Sequence, residues 1–188
     1  MFAPDASGNV APVLQITGPG EAVKLAVDGQ GDLVVAVTGA FGQAIPNTIL
    51  VYTPGASSTA TPLRCLAGAA TGLGTSSDTS SFAVAVLPGG MRVRAATSSG
   101  NAPHVSVFDN TASGNVAPEF TLTGPATALG DTSALAVDAA GREYVASAVT
   151  NAITVYAPNA SGNSAPIRTI AGVSTGLSDT LGLAIGLQ

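Results

Sequence analysis

The sequence of 188 residues predicts an all-β chain, a β-propeller of about four repeats of roughly 50 residues with four antiparallel strands in each. Three observations predict it. An eleven-residue phrase recurs without gaps, at Phe2 to Pro12, Tyr52 to Pro62, Phe108 to Pro118 and Tyr156 to Pro166. The aromatic residues that open it are 50, 56 and 48 residues apart. Between them lie short apolar runs broken by Gly, Pro and Asn, and a helical period of 3.6 is sustained nowhere. The repeats divide a single domain, residues 1–188, into 2–51, 52–107, 108–155 and an incomplete 156–188.

Each element follows from the residues in order. First strands are read at Leu25-Ala26-Val27, Val84-Ala85-Val86 and Ser133 to Asp138, with a further one at Leu183-Ala184-Ile185. In the third repeat Ala139-Ala140-Gly141 makes a tight turn, with Gly where a positive φ is needed. Asp28 and Asp138 cap these turns. Second strands are Leu33 to Val37, Arg92 to Ala96 and Glu143 to Ser147. Third strands end at Phe2, Tyr52, Phe108 and Tyr156, whose rings are expected to fill the core between repeats. Fourth strands follow Pro12, Pro62, Pro118 and Pro166, where proline costs no central ladder bond. The strand count admits a small ring with one thin blade, a fragment of a larger propeller, or half of a ring shared with a partner chain. The last two leave open strand edges, which favour a homo-oligomer.

Composition narrows the function classes. Only 9% of residues are charged while 46% are hydrophobic, so a packed core is expected despite the low charge. With a net charge of -5 and no basic run, nucleic acid is an unsuitable partner. No stretch reaches the roughly 18 apolar residues of a membrane span, so no membrane insertion is expected. The single cysteine, Cys65, allows no internal disulfide; it aligns with Gln15, Thr121 and Thr169 and should face solvent. The chain opens inside a repeat and carries no signal peptide. The alternatives are a protein that stays inside the cell and, the favoured expectation, a native N-terminus upstream with a secreted or cell-envelope location.

The pattern Leu135-Ala136-Val137-Asp138-x-x-Gly141-x-x-Tyr144-Val145-Ala146, followed by Asn151-x-Ile153-x-Val155-Tyr156, resembles NHL-type propeller repeats. It is also similar to the "VYAPxASGNxAPIRTI" repeats of bacterial extracellular proteins. The resemblance covers essentially the whole chain and implies the fold more than the function. NHL-like propellers include protein- and RNA-binding modules, and related six-bladed rings include lactonases. The Asp that often follows the second-strand Val-Ala is here Val37, Ala96 or Ser147, and the basic residues of RNA-binding members are absent.

The loops into the first strands carry Glu21, Asp78, Asp131 and Asp179, and those between second and third strands carry Asn47, Asn101 and Asn151. In a closed ring these crowd one mouth of the channel. Carboxylate and amide oxygens are hard ligands suited to Ca²⁺ or Mg²⁺. The resemblance adds that lactonase-type propellers use a similar set around a metal that activates water. Against this stands the plainer reading, in which Asp and Thr before a strand satisfy loop backbone donors.

On the opposite face lie Ser7-Gly8-Asn9, Ser113-Gly114-Asn115 and Ser161-Gly162-Asn163, read as hairpin turns that could offer a polar rim to sugar or peptide. His104, the only histidine, has no triad partner in the sequence and is expected at the surface, as are Arg92 and Arg94. The expected function is therefore a non-enzymatic binding or scaffold module for a protein or carbohydrate ligand. The alternatives are a divalent-metal-dependent hydrolase or lactonase, and a fragment acting in a larger assembly.

Overall fold

The computed structural model describes residues 2–18, 20–38, 46–74, 82–87, 92–97 and 103–186. Among the described residues, twelve strands form three antiparallel sheets of four. The first holds β1 (Glu21–Val27), β2 (Leu33–Thr38), β3 (Thr48–Tyr52) and β4 (Arg64–Leu66). The second holds β5 (Phe82–Val86), β6 (Arg92–Thr97), β7 (His104–Asp109) and β8 (Phe120–Thr123). The third holds β9 (Thr132–Val137), β10 (Glu143–Ser147), β11 (Ala152–Tyr156) and β12 (Arg168–Ile170). In each sheet the strands pair in chain order, so every sheet is a meander. Within these three sheets the strand assignments from the sequence hold to within a few residues at each end.

Asp28 and Asp138 do cap the first hairpins. Asp28 Oδ1 accepts from the N–H groups of Gln30 and Asp32 at 2.8 and 2.9 Å, and Asp138 Oδ1 from those of Ala140 and Arg142 at 3.0 and 2.9 Å. A short aspartate side chain thereby replaces the backbone acceptor a tight turn lacks.

The sheets stack face on face, with β1, β5 and β9 side by side. Between the first two sheets, Val34, Ala36, Ile49, Val51 and Leu66 meet Phe82, Val84, Val93, Ala95 and Phe108. Between the second and third, Ala83, Ala85, Ala96, Val105 and Leu122 meet Leu135, Val145 and Tyr156. Each sheet therefore has a leading face toward its predecessor and a trailing face toward its successor. Side-chain alternation in strands buried on both faces produces this double layer. Each fully buried aliphatic or aromatic side chain contributes about 1.5–3 kcal/mol.

The two ends of the chain depart from the sequence reading. Residues 2–18 and Leu183-Ala184-Ile185 form no strands. Phe2 is 56% exposed, whereas Tyr52, Phe108 and Tyr156 are buried as expected. The physical reason is the missing neighbour: each buried aromatic sits in a third strand paired on both sides, and Phe2 has no such ladder. Among the described residues, helix is limited to three-residue 3₁₀ turns at Ala69–Thr71, Pro125–Thr127 and Val173–Thr175, one after the last strand of each sheet.

Candidate functional site

Asn47 lies between β2 and β3 and is fully buried. Its amide Nδ2 donates to the Leu73 carbonyl at 2.9 Å, and its backbone N–H donates to that of Gly74 at 3.0 Å. Asn47 Oδ1 has no partner among the described residues. Asn151, between β10 and β11, accepts the Asp179 backbone N–H at 3.0 Å, so the structure brings these two candidates together. The asparagines thus tie each inner loop to the segment leading out of the same sheet. Both contacts use the amide and backbone atoms, and the Asp179 carboxylate is exposed.

Glu21 starts β1 and is exposed, as is Asp131 before β9. Asp78 and Asn101 lie outside the described residues. Among the described residues no three His, Cys, Asp or Glu side chains gather closely enough to hold a metal ion.

The Ser-Gly-Asn phrases do something other than close hairpins. Gly114 bridges Leu66 of the preceding sheet in parallel fashion, donating to the Cys65 carbonyl at 2.7 Å and accepting from Ala67 at 3.2 Å. Asn115 Oδ1 then takes the Ala70 N–H of the 3₁₀ turn at 2.7 Å. Gly162 and Asn163 repeat this one sheet later, on Thr121, Thr123 and Ala126, with distances of 2.7, 2.9 and 2.7 Å. The tripeptide is a staple between sheets, and its glycine is held at a φ of 77° or 58°, where a side chain is disfavoured. The separation of each Asn from the turn it grips is 45 residues in one case and 37 in the other, so no fixed spacing announced the staple.

Two further corrections concern charge. Arg94 is buried, and its Nε pairs with Glu143 Oε1, also buried, at 2.5 Å. The pair crosses from the trailing face of the second sheet to the leading face of the third. At the first junction the register puts Val34 and Val93 in these positions. Burial pushes the Glu143 carboxyl above its ordinary value, and the charge and hydrogen bond of Arg94 offset part of that rise. Arg92, in contrast, is partly exposed as expected, bonded to Glu119 at 3.0 Å and lying over the Phe120 ring. His104 is buried in β7, with Nε2 3.0 Å from the Gly72 carbonyl, because its strand is covered by the preceding sheet's turn. Cys65 is exposed.

What the sequence reading missed is the leading face of the first sheet. Register sets Leu25, Val35 and Leu50 in one cross-strand row, and Val27, Leu33 and Tyr52 in the next. Together with Leu14, Ile16 and Pro54 they line an apolar groove of about 410 Å³. Leu25 is 63% exposed where its equivalents Val84 and Leu135 are 5% and 6% exposed. The alternation was legible; that no further sheet of the described residues stacks on this face was not.

No family model and no curated protein matches the chain. Among solved structures, the crystal structure of Chaetomium thermophilum Raptor is similar to it, with a TM-score of 0.44 and 11% identity over 89% of this chain. That match covers 18% of the other chain, so the present chain spans less than a fifth of its length.

Proposed function

We propose that the chain is a non-enzymatic binding or scaffold module, its three sheets being blades of a propeller-type array of NHL-like repeats, and that it takes a protein partner in the groove of the first sheet. The observation that carries this reading is the exposure of Leu25 and Val27 on a face whose counterparts in the other two sheets are packed. Apolar sheet faces of this kind mark interaction surfaces. The lining is aliphatic with one tyrosine, which suits apolar protein side chains better than the polar rim a carbohydrate needs. Asn47, Asn151, Asn115 and Asn163 are engaged in turns and junctions, which supports binding over catalysis.

The test is a hydrophobic reporter, anilinonaphthalene sulfonate, titrated onto native protein. Wild type should bind the dye with enhanced fluorescence. The Leu25→Asp/Val27→Asp variant, altered at two exposed positions, should lose most of that signal while keeping its melting temperature. Undiminished dye binding by a folded variant would remove the groove as the binding surface.

A further inference from the structure

The staple that joins neighbouring sheets is made twice within the chain, and its two halves occur a third time without meeting. The receiving half is the turn after the last strand. At all three turns a positive-φ glycine precedes three 3₁₀ residues, and the threonine hydroxyl donates back to that glycine's carbonyl: Thr71 to Gly68, Thr127 to Gly124 and Thr175 to Gly172, at 2.6, 2.6 and 2.7 Å. The cradle after β12 is therefore already shaped like the other two.

Its occupancy differs. A Cβ built on Gly68 or Gly124 would stand 2.5 Å from the oxygen of Asn115 or Asn163, whereas one on Gly172 would meet nothing within 4 Å. Ile170 pairs with Ile153 as Leu66 pairs with Ile49, yet it is 44% exposed where Leu66 is 4% exposed. Thr71 and Thr127 are buried, while Thr175 is exposed.

The inserting half is Ser7-Gly8-Asn9. Gly8 already holds a φ of 74°, close to the 77° of Gly114. Asn9 is exposed and makes no hydrogen bond to the described residues. Seven residues before Asn9 stands Phe2, the same offset that separates Phe108 from Asn115 and Tyr156 from Asn163. Phe108 and Tyr156 pack on the sheet that their staple grips; Phe2 packs on none.

We infer that the segment Phe2–Asn9 of a second copy of this chain docks on the third sheet, in head-to-tail fashion. Gly8 N–H then donates to the Thr169 carbonyl, its own carbonyl accepts from Ala171, and Asn9 Oδ1 accepts the Ser174 N–H. Phe2 covers the trailing face near Ile153 and Ile170. These are the contacts of Gly114, Asn115 and Phe108 transposed to the third sheet. The second copy is the occupant because this chain's own Phe2–Asn9 segment leaves the cradle empty while Ile16, further along the same segment, is packed against the first sheet. Because the two surfaces differ, the contact is not self-complementary and propagates into a ring or an open chain of copies. The cradle is on the third sheet and the groove on the first, and Leu25→Asp/Val27→Asp leaves Phe2–Asn9 and the cradle unchanged, so the dye experiment and this proposal can fail separately.

The test uses the 188-residue chain in a Cys65→Ser background, treated with a short bismaleimide. Ser7→Cys and Ser174→Cys variants, each folded and monomeric when cross-linked alone, should give a covalent dimer when mixed. Sedimentation velocity on the unmodified chain should show reversible self-association, weakened about tenfold by Asn9→Ala, as loss of one such hydrogen bond implies. Asn9 is exposed, so that variant is expected to fold. Absence of a mixed dimer, cross-linking within one chain of a Ser7→Cys/Ser174→Cys double variant, or an association constant indifferent to Asn9→Ala would each overturn the proposal.

Discussion

Arg94 and Glu143 are the most heavily committed single residues of the molecule. Both are removed from water, and each is compensated mainly by the other. Breaking such a pair from one side leaves a buried charge and costs about 3–5 kcal/mol, while replacing both partners with packed apolar groups is often neutral. Glu143→Gln should therefore lower stability by that amount in denaturant titrations. Arg94→Val/Glu143→Val, which copies the Val34–Val93 contact of the first junction, should recover most of it. The pair was not legible in the sequence: one arginine and one glutamate in separate strands give no sign of facing each other until the sheets are stacked. Asp138 was legible, since Asp before Ala-Ala-Gly announces a capped turn. Burial acts on its carboxyl in the raising direction, but hydrogen bonds from the Arg142 side chain and backbone, the Arg142 charge and the Tyr144 hydroxyl together hold it below the ordinary value. A carboxyl lowered in the folded state stabilises the fold above its unfolded pKa, and that contribution disappears as pH falls through the folded value. The stability gap between wild type and Asp138→Asn should accordingly be full at neutral pH and close in acid below about pH 3.8. A gap that stayed constant with pH would contradict the assignment.

Among the elements, the staple decides how one sheet joins the next. Asn163→Ala removes the acceptor for the Ala126 N–H and should cost about 1 kcal/mol. Gly124→Ala should cost more, about 1–3 kcal/mol, since it adds a side chain at a φ of 120° and directs it into Asn163. Thermal melts of the two variants check the order; equal or reversed losses would count against the staple. Strand positions were readable from the sequence because apolar alternation and Pro or Gly boundaries are local properties. The Ser-Gly-Asn phrases were misread as hairpin turns because their partners lie 45 and 37 residues away, on another sheet. The strand assignments at residues 2–18 and 183–185 failed for a related reason: an isolated strand sequence has no ladder to join.

For the whole molecule, the governing pattern is a repeat that satisfies itself internally and leaves specific surfaces open at its ends. The leading face of the first sheet and the turn after β12 are those surfaces, and neither could be found without knowing which repeats stack. Of the polar candidates named from the sequence, Asn47 and Asn151 reach backbone groups, and the exposed carboxylates of Glu21, Asp131 and Asp179 form no metal-holding group among the described residues. We propose that the recurring loop residues serve the junctions of the array and not a ligand ion. A thermal melt with and without millimolar calcium tests it most directly. A ligand present at a hundredfold excess over its dissociation constant stabilises the folded state by about 2.7 kcal/mol. One cooperative transition is expected, with the same midpoint in the presence and absence of calcium. A midpoint raised by several degrees, and lost in Asp131→Asn, would show instead that the acidic loops assemble into a cation site.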